Sequence, residues 1–422
     1  MNIANTLAAV LGLASAAVLG TGAATAASAQ PRPGGSSPVL IKATRIARLP
    51  ERSVAAELRN ARLGPGAPAL GAGAVRHGVV AYRVLYRTVD AQGRATRASG
   101  LVAFPDMRPG RLRLVDYGHG TTADKRDVPS SFGLDASRDG IEGRWAAELF
   151  ASAGFAVAEP DYQGMGAGPG RPEYMVAKSN VSATLDLLRA AKVLAARRGD
   201  RLASGDRLAS GVLVTGFSEG GSTALAVGHA LQEGQLPGFR PRALAAVSSP
   251  SNLLTAEVPG LFNGQVAASV APYYVGYLLT AWNPLYHLYA APSDAFRPPY
   301  AARVANLFNG SHTDQQIFTA LPHRLRDLLT PRYLGLLRHP VGAARAALIQ
   351  NSTCTGWAAR MPVRLYAARG DTSVPQANTQ QCLRAMQARH SRARMVQLGA
   401  VSHNLSDFLA LPKIVRWFQA LR

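Results

Sequence analysis

Residues 211–227 constrain the fold more than any other stretch of the chain. Gly211-Val212-Leu213-Val214-Thr215 is the apolar run that a strand buried on both faces requires. Gly216-Phe217-Ser218-Glu219-Gly220 follows, and Gly221-Ser222-Thr223-Ala224-Leu225-Ala226-Val227 then begins a helical pattern. Such a strand–turn–helix unit forces the central serine into a strained conformation, so its neighbours must be small. The Ser218 hydroxyl then stands at the head of a helix, whose dipole favours developing negative charge. The chain has 41 glycines, so the pentapeptide alone could arise by chance, and its context gives it weight.

The same alternation runs through most of the chain. Val75–Val89 and Thr96–Phe104 read as two strands of a hairpin around the turn Asp90-Ala91-Gln92-Gly93. Further strands are expected at Leu112–Tyr117, Phe155–Glu159, Gly211–Thr215, Ala243–Ser248, Val363–Ala368 and Arg394–Leu398. Helical patterns at Ile141–Ala153, Val181–Arg198 and Thr379–Arg389 lie between them. The expectation is an α/β fold with a mostly parallel sheet flanked by helices and an antiparallel opening hairpin at its edge. The tandem repeat Gly-Asp-Arg-Leu-Ala-Ser at 199–210 is too short for a solenoid unit and reads as a duplicated loop. Residues 253–357 are far too long for an ordinary connection and predict an inserted helical cap. The core is therefore expected at 75–252 and 358–422.

Residues 1–29 read as a secretory signal peptide, with an apolar run at Leu7–Leu19 and the small-residue site Ala27-Ser28-Ala29. The reading implies a secreted or periplasmic protein with no transmembrane anchor after cleavage. Residues 30–74 are expected as an N-terminal extension, with a Pro/Gly/Ser-rich flexible leader over 31–45. Cys354 and Cys382 are the only cysteines, and an even count in an exported chain suggests one disulfide, with two buried thiols as the alternative. The net charge of +21 comes mostly from scattered arginines without interleaved aromatics. The lack of a clustered basic patch and of a recognisable binding module argues against nucleic-acid binding, and the charge leaves a weak attraction to anionic surfaces.

A serine hydroxyl needs a base, and the base needs an orienting acid. Asp371, in Gly370-Asp371-Thr372-Ser373-Val374-Pro375, follows the strand Val363–Ala368. His403 follows the last strand. Open α/β sheets carry their sites at the carboxyl ends of strands, so Ser218, Asp371 and His403 are expected to meet there. An oxyanion would be met by the backbone N–H of Glu219 and by that of Gly120 or Thr121, in the loop after the strand Leu112–Tyr117. His119 in that loop is expected to shape it rather than act as the base. Asp161-Tyr162-Gln163-Gly164-Met165-Gly166 does not complete a dinucleotide fingerprint, and no metal spacing is present, so neither cofactor nor metal is expected. The aromatic residues between Phe262 and Tyr300 read either as a small helical core or as an apolar cap contacting substrate. The candidates for contact are Phe262, Tyr273, Tyr274, Tyr277 and Trp282.

Over residues 75–422 the chain resembles the α/β-hydrolase superfamily. Tyr-Gly-His-Gly-Thr at 117–121, Pro-Asp-Tyr-Gln-Gly-Met-Gly at 160–166 and Gly-Phe-Ser-Glu-Gly-Gly at 216–221 are similar to elements of secretory lipases and exported esterases. The resemblance implies hydrolysis of a small-molecule or lipid ester through an acyl-enzyme. It assigns Ser218 as nucleophile, His403 as base and Asp371 as orienting acid. An exported serine peptidase of aminopeptidase type is the rival reading. It requires acidic residues near the site, and the insertion has few: Glu257, Asp294, Asp314 and Asp327. A binding protein on the same fold would be free to lose one of the three residues, and all three are present.

Overall fold

The computed structural model describes residues 39–63, 67–133, 141–203 and 211–421. The signal-peptide reading of 1–29 and the second copy of the hexapeptide lie outside these residues.

Among the described residues ten strands form one sheet: β1 (Leu40–Leu49), β2 (Gly78–Val89), β3 (Ala95–Asp106), β4 (Arg111–Gly118), β5 (Ala156–Pro160), β6 (Arg201–Ala203), β7 (Val212–Phe217), β8 (Pro241–Val247), β9 (Val363–Ala367) and β10 (Ala393–Gln397). The spatial order is β1-β2-β3-β5-β4-β7-β8-β9-β10, with β6 beside the start of β4. From β5 to β10 the pairings are parallel, and β1, β2, β3 and β5 pair antiparallel.

Alternating side chains send each strand's residues to opposite faces. Val84, Leu114, Val214 and Leu244 enter one core with α3 (Ala177–Arg197), α4 (Glu219–Gln232) and the helix Gln376–Gln387. Ala81, Val115, Leu213 and Ala245 enter the other with α1 (Glu51–Asn60), α2 (Ile141–Ser152) and the C-terminal helix His403–Ala420. Both faces are covered, which is why the parallel strands read as continuous apolar runs.

Three expectations need correction. The hairpin β2–β3 is not the sheet edge, because β1 pairs along β2 from Leu40↔Tyr86 to Leu49↔Val79. The expected leader over 31–45 therefore overlaps a strand. β1 is mostly solvent-facing, carries Lys42, Arg45 and Arg48, and has two register shifts that interrupt its alternation. Charges and bulges are how exposed edges avoid pairing with other chains, and they also hide the strand's period in the sequence. Finally, Arg201–Ala203 of the hexapeptide repeat is a strand on β4 rather than loop.

Residues 253–357 are helical, with Ala271–Tyr286 the longest element. They form a third core in which Tyr273, Tyr277, Trp282, Phe296 and Phe308 pack with Tyr174, Met175 and Val176. Cys354, just past the last helix of this insertion, is bonded to Cys382 on the helix Gln376–Gln387, with Cα atoms 5.4 Å apart. Among the described residues no helix is long and apolar enough to cross a membrane.

The disulfide closes a loop of 28 residues. Cys354→Ser with Cys382→Ser should lower unfolding free energy by about 3 kcal/mol, measured by urea titration. A change below about 0.5 kcal/mol would show that the bond adds nothing to stability.

Candidate active site

The sharp turn between β7 and α4 is explained atom by atom. A Cβ on Gly216 would lie 2.3 Å from the carbonyl oxygen of Gly220, and one on Gly220 would lie 1.9 Å from that of Gly118. Both contacts are with backbone, which cannot step aside, so both positions must be glycine. Ser218 sits between them with φ 54° and ψ −119°, a conformation that costs a non-glycine residue about 1–3 kcal/mol. Its N–H donates to the Val247 carbonyl at 2.9 Å, and its own carbonyl accepts from Gly221 and Ser222 as α4 begins.

His403 is the first residue of the C-terminal helix. Its Nδ1–H donates to Asp371 Oδ2 at 2.7 Å. A carboxylate can only accept, which makes Nε2 the acceptor for the Ser218 hydroxyl, 2.9 Å away. Asp371 Oδ1 accepts from the backbone N–H groups of Ser373 and Val374, each at 2.9 Å, so its loop fixes the carboxylate from both sides. The Phe217 ring packs on the imidazole at 4.6 Å between centroids. The three side chains are buried and linked by these two contacts.

Glu219 is the first residue of α4, so its N–H has no acceptor within the helix. Its side chain is turned elsewhere, with Oε1 accepting from Met175 N–H at 2.9 Å and Asn180 Nδ2 at 3.2 Å. Burial pushes this carboxyl up to about 7. The expectation for Gly120 needs correction, since its N–H donates to Glu142 Oε1 at 2.9 Å. Thr121 lines the same cleft as Ser218 and His403, and its N–H becomes the second candidate. His119 stacks on Tyr162 with centroids 4.4 Å apart, and its Nδ1–H donates to the Gly120 carbonyl at 2.7 Å. It touches neither Ser218 nor Asp371 by hydrogen bond and shapes the loop.

Two cavities meet at Ser218. One, of about 70 Å³, is walled by Leu253, Val258, Leu278, Leu337, Leu348 and Val374, with Glu257 as its acid. Burial pushes Glu257 up to about 8, and its Oε2 accepts from Asn378 Nδ2 at 2.7 Å. The other is wider, about 610 Å³, and mixes Thr121, Glu142, Gln315, Asn404 and Asp407 with Trp145, Tyr273 and Phe318. The aromatic candidates divide accordingly. Tyr274 lines both cavities and Tyr273 the wider one. Phe262, Tyr277 and Trp282 line neither. Tyr277 stacks between Tyr174 and Phe308, Trp282 donates to the Tyr174 carbonyl, and Phe262 lies under Arg338. Their rings are used for packing. The aliphatic wall and the acids Glu142, Glu257 and Asp407 carry no local motif, so only the tertiary structure reveals them. Among the described residues, no group of three or more His, Cys, Asp or Glu is placed to hold a metal ion.

Neither a family model nor a curated protein matches the sequence. Solved structures do. A protein of Legionella pneumophila provisionally described as a hydrolase is 21% identical, with a TM-score of 0.79 over 91% of this chain and 98% of its own. The rice cell wall degrading esterase LipA from Xanthomonas oryzae is 22% identical, with a TM-score of 0.76 over 91% and 98%. Candida antarctica lipase A is more distant, at 13% identity and a TM-score of 0.62 over 86% and 77%. This is the α/β-hydrolase fold. Within it, Ser218, Asp371 and His403 follow β7, β9 and β10 in turn.

Burial holds His119 at about 4, below its ordinary 6.5. The unfolded chain therefore takes up a proton at this position between those values and the folded chain does not, so this contribution to stability is lost as pH falls from 6.5 towards 4. His119→Asn should flatten that limb of a melting-temperature profile. An unchanged limb would mean that His119 does not set it.

Proposed function

We propose that the protein is an exported serine carboxylic-ester hydrolase of lipase or esterase type. The observation that carries the reading is the unbroken chain Asp371–His403–Ser218, at 2.7 and 2.9 Å, beside a cavity walled by aliphatic side chains. On this reading His403 Nε2 takes the Ser218 proton as Oγ bonds to the ester carbonyl carbon. The carbonyl oxygen becomes the oxyanion, met by the N–H groups of Glu219 and Thr121. Collapse expels the alcohol, which receives the proton from His403 and leaves an acyl-enzyme. Water repeats the sequence, giving the acid and free Ser218. Asp371 keeps His403 in the tautomer that accepts at Nε2 and stabilises the imidazolium.

The apolar cavity suits the acyl group, and the wider polar cavity suits the departing alcohol and entering water. Export is supported by the signal-like composition of residues 1–29 and by the Cys354–Cys382 bond, which persists in oxidising compartments. The peptidase reading gains one observation, since Asp314, Glu142 and Asp407 line the wide cavity. All three are engaged: Asp314 Oδ1 accepts from Ala123 N–H and the Tyr273 hydroxyl, Glu142 Oε1 from Gly120 N–H and the Tyr117 hydroxyl, and Asp407 Oδ2 lies 3.2 Å from the same Tyr117 hydroxyl. Acids already bonded within the protein are poor anchors for a substrate amine.

The test is turnover of esters of graded acyl length beside aminoacyl anilides. Esters should be hydrolysed, Ser218→Ala should abolish turnover, and His403→Ala and Asp371→Asn should each lower kcat by roughly 10⁴-fold. Preference for the anilides would favour the peptidase, and ester turnover by Ser218→Ala would overturn the mechanism. Leu348→Trp, which narrows the apolar cavity, should shift preference towards shorter acyl chains. An unchanged length profile would remove the acyl group from that cavity.

A further inference from the structure

Resting on the reading of Ser218 as an acyl nucleophile, we propose that Glu142 is a positioning residue that ties the oxyanion loop to the helix bearing His403. Glu142 is the second residue of α2, and its Oε1 accepts from two donors on β4 and its loop. These are the Gly120 N–H at 2.9 Å and the Tyr117 hydroxyl at 2.7 Å. The Tyr117 oxygen also lies 3.2 Å from Oδ2 of Asp407. Asp407 stands one turn beyond His403 on the C-terminal helix, on the same side of it. A continuous polar path therefore runs from the loop amide through Glu142 and Tyr117 to the helix that carries the base.

Tyr117 has one hydroxyl proton and two carboxyl groups within reach. The shorter bond goes to Glu142, which accepts the amide as well and sits in the first turn of a helix, where negative charge is favoured. Burial and the nearby Glu142 carboxyl push Asp407 upward, against the smaller opposing effect of its contact with the Tyr117 hydroxyl.

The path determines which amide serves the oxyanion. Glu142 engages the Gly120 N–H, so the next amide, that of Thr121, is the loop's remaining candidate donor, and Thr121 lines the cleft with Ser218 and His403. The packing is close, since a Cβ on Gly120 would lie 3.0 Å from the Phe217 ring and 3.1 Å from Glu142 Oε2. Donors for an oxyanion work only when already in place, so a loop released from Glu142 loses transition-state binding more than substrate binding.

Glu142→Ala should lower ester kcat roughly 10- to 100-fold, with KM within ~3-fold of wild type. A trifluoromethyl ketone, which forms a tetrahedral adduct on Ser218, should lose affinity by the same factor as kcat/KM. Glu142→Gln keeps an oxygen acceptor for the Gly120 N–H and should recover to within ~3-fold of wild type. If Glu142→Ala does not fold, Glu142→Met replaces it in the comparison, since it fills similar volume without an acceptor. Wild-type kcat in the variant without an acceptor, equal impairment of the Gln variant, or a loss confined to KM would each overturn the proposal. An inactive wild type on esters would be a failure of the parent reading, and the ketone arm would still report on the loop.

Discussion

The active-site architecture hangs on one backbone contact. Gly220, opening α4, lies so near the Gly118 carbonyl at the end of β4 that no side chain fits between them. The contact brings two chain segments a hundred residues apart in sequence to one edge of the sheet. One supplies Ser218 and the Glu219 amide, and the other supplies the loop His119–Thr121. Sheet registry does the rest: Gly118 pairs with Gly216, and Phe217 pairs with Val247, so β4, β7 and β8 end at one level. The strain at Ser218 is held by three backbone hydrogen bonds, and its hydroxyl is bonded to His403 Nε2.

Acids buried near this edge have a further electrostatic effect. Asp116, Glu159 and Asp407 are buried, and each is pushed well above the ordinary carboxyl range by desolvation. Desolvation thus works against ionisation at each of these three carboxyls.

Much of this was legible in the residues. The central strands are buried on both faces and read as apolar runs, and the turn glycines and the order Ser218, Asp371, His403 place the site at their ends. What escaped reading did so for physical reasons. β1 is an exposed edge whose alternation is broken by bulges. Gly120 reads as an oxyanion donor from its place in the loop, but Glu142, which engages its amide, arrives from another element. The insertion's aromatic residues suggest a substrate surface, yet packing claims Phe262, Tyr277 and Trp282. Aliphatic residues such as Leu253 and Leu348 form the narrow cavity's wall instead, and nothing distinguishes them in the sequence from ordinary core.

The unequal cavities at Ser218 bear on the second half of the proposed reaction. An acyl group lodged in the narrow apolar space leaves the wide polar one open once the first alcohol departs. On the proposed reaction, water would then not be the sole visitor to the acyl-enzyme. A second alcohol could take the place of the first, with His403 accepting its proton as it would accept one from water. The shape proposed to serve hydrolysis in dilute solution would thus also serve acyl transfer between alcohols wherever the acceptor is concentrated.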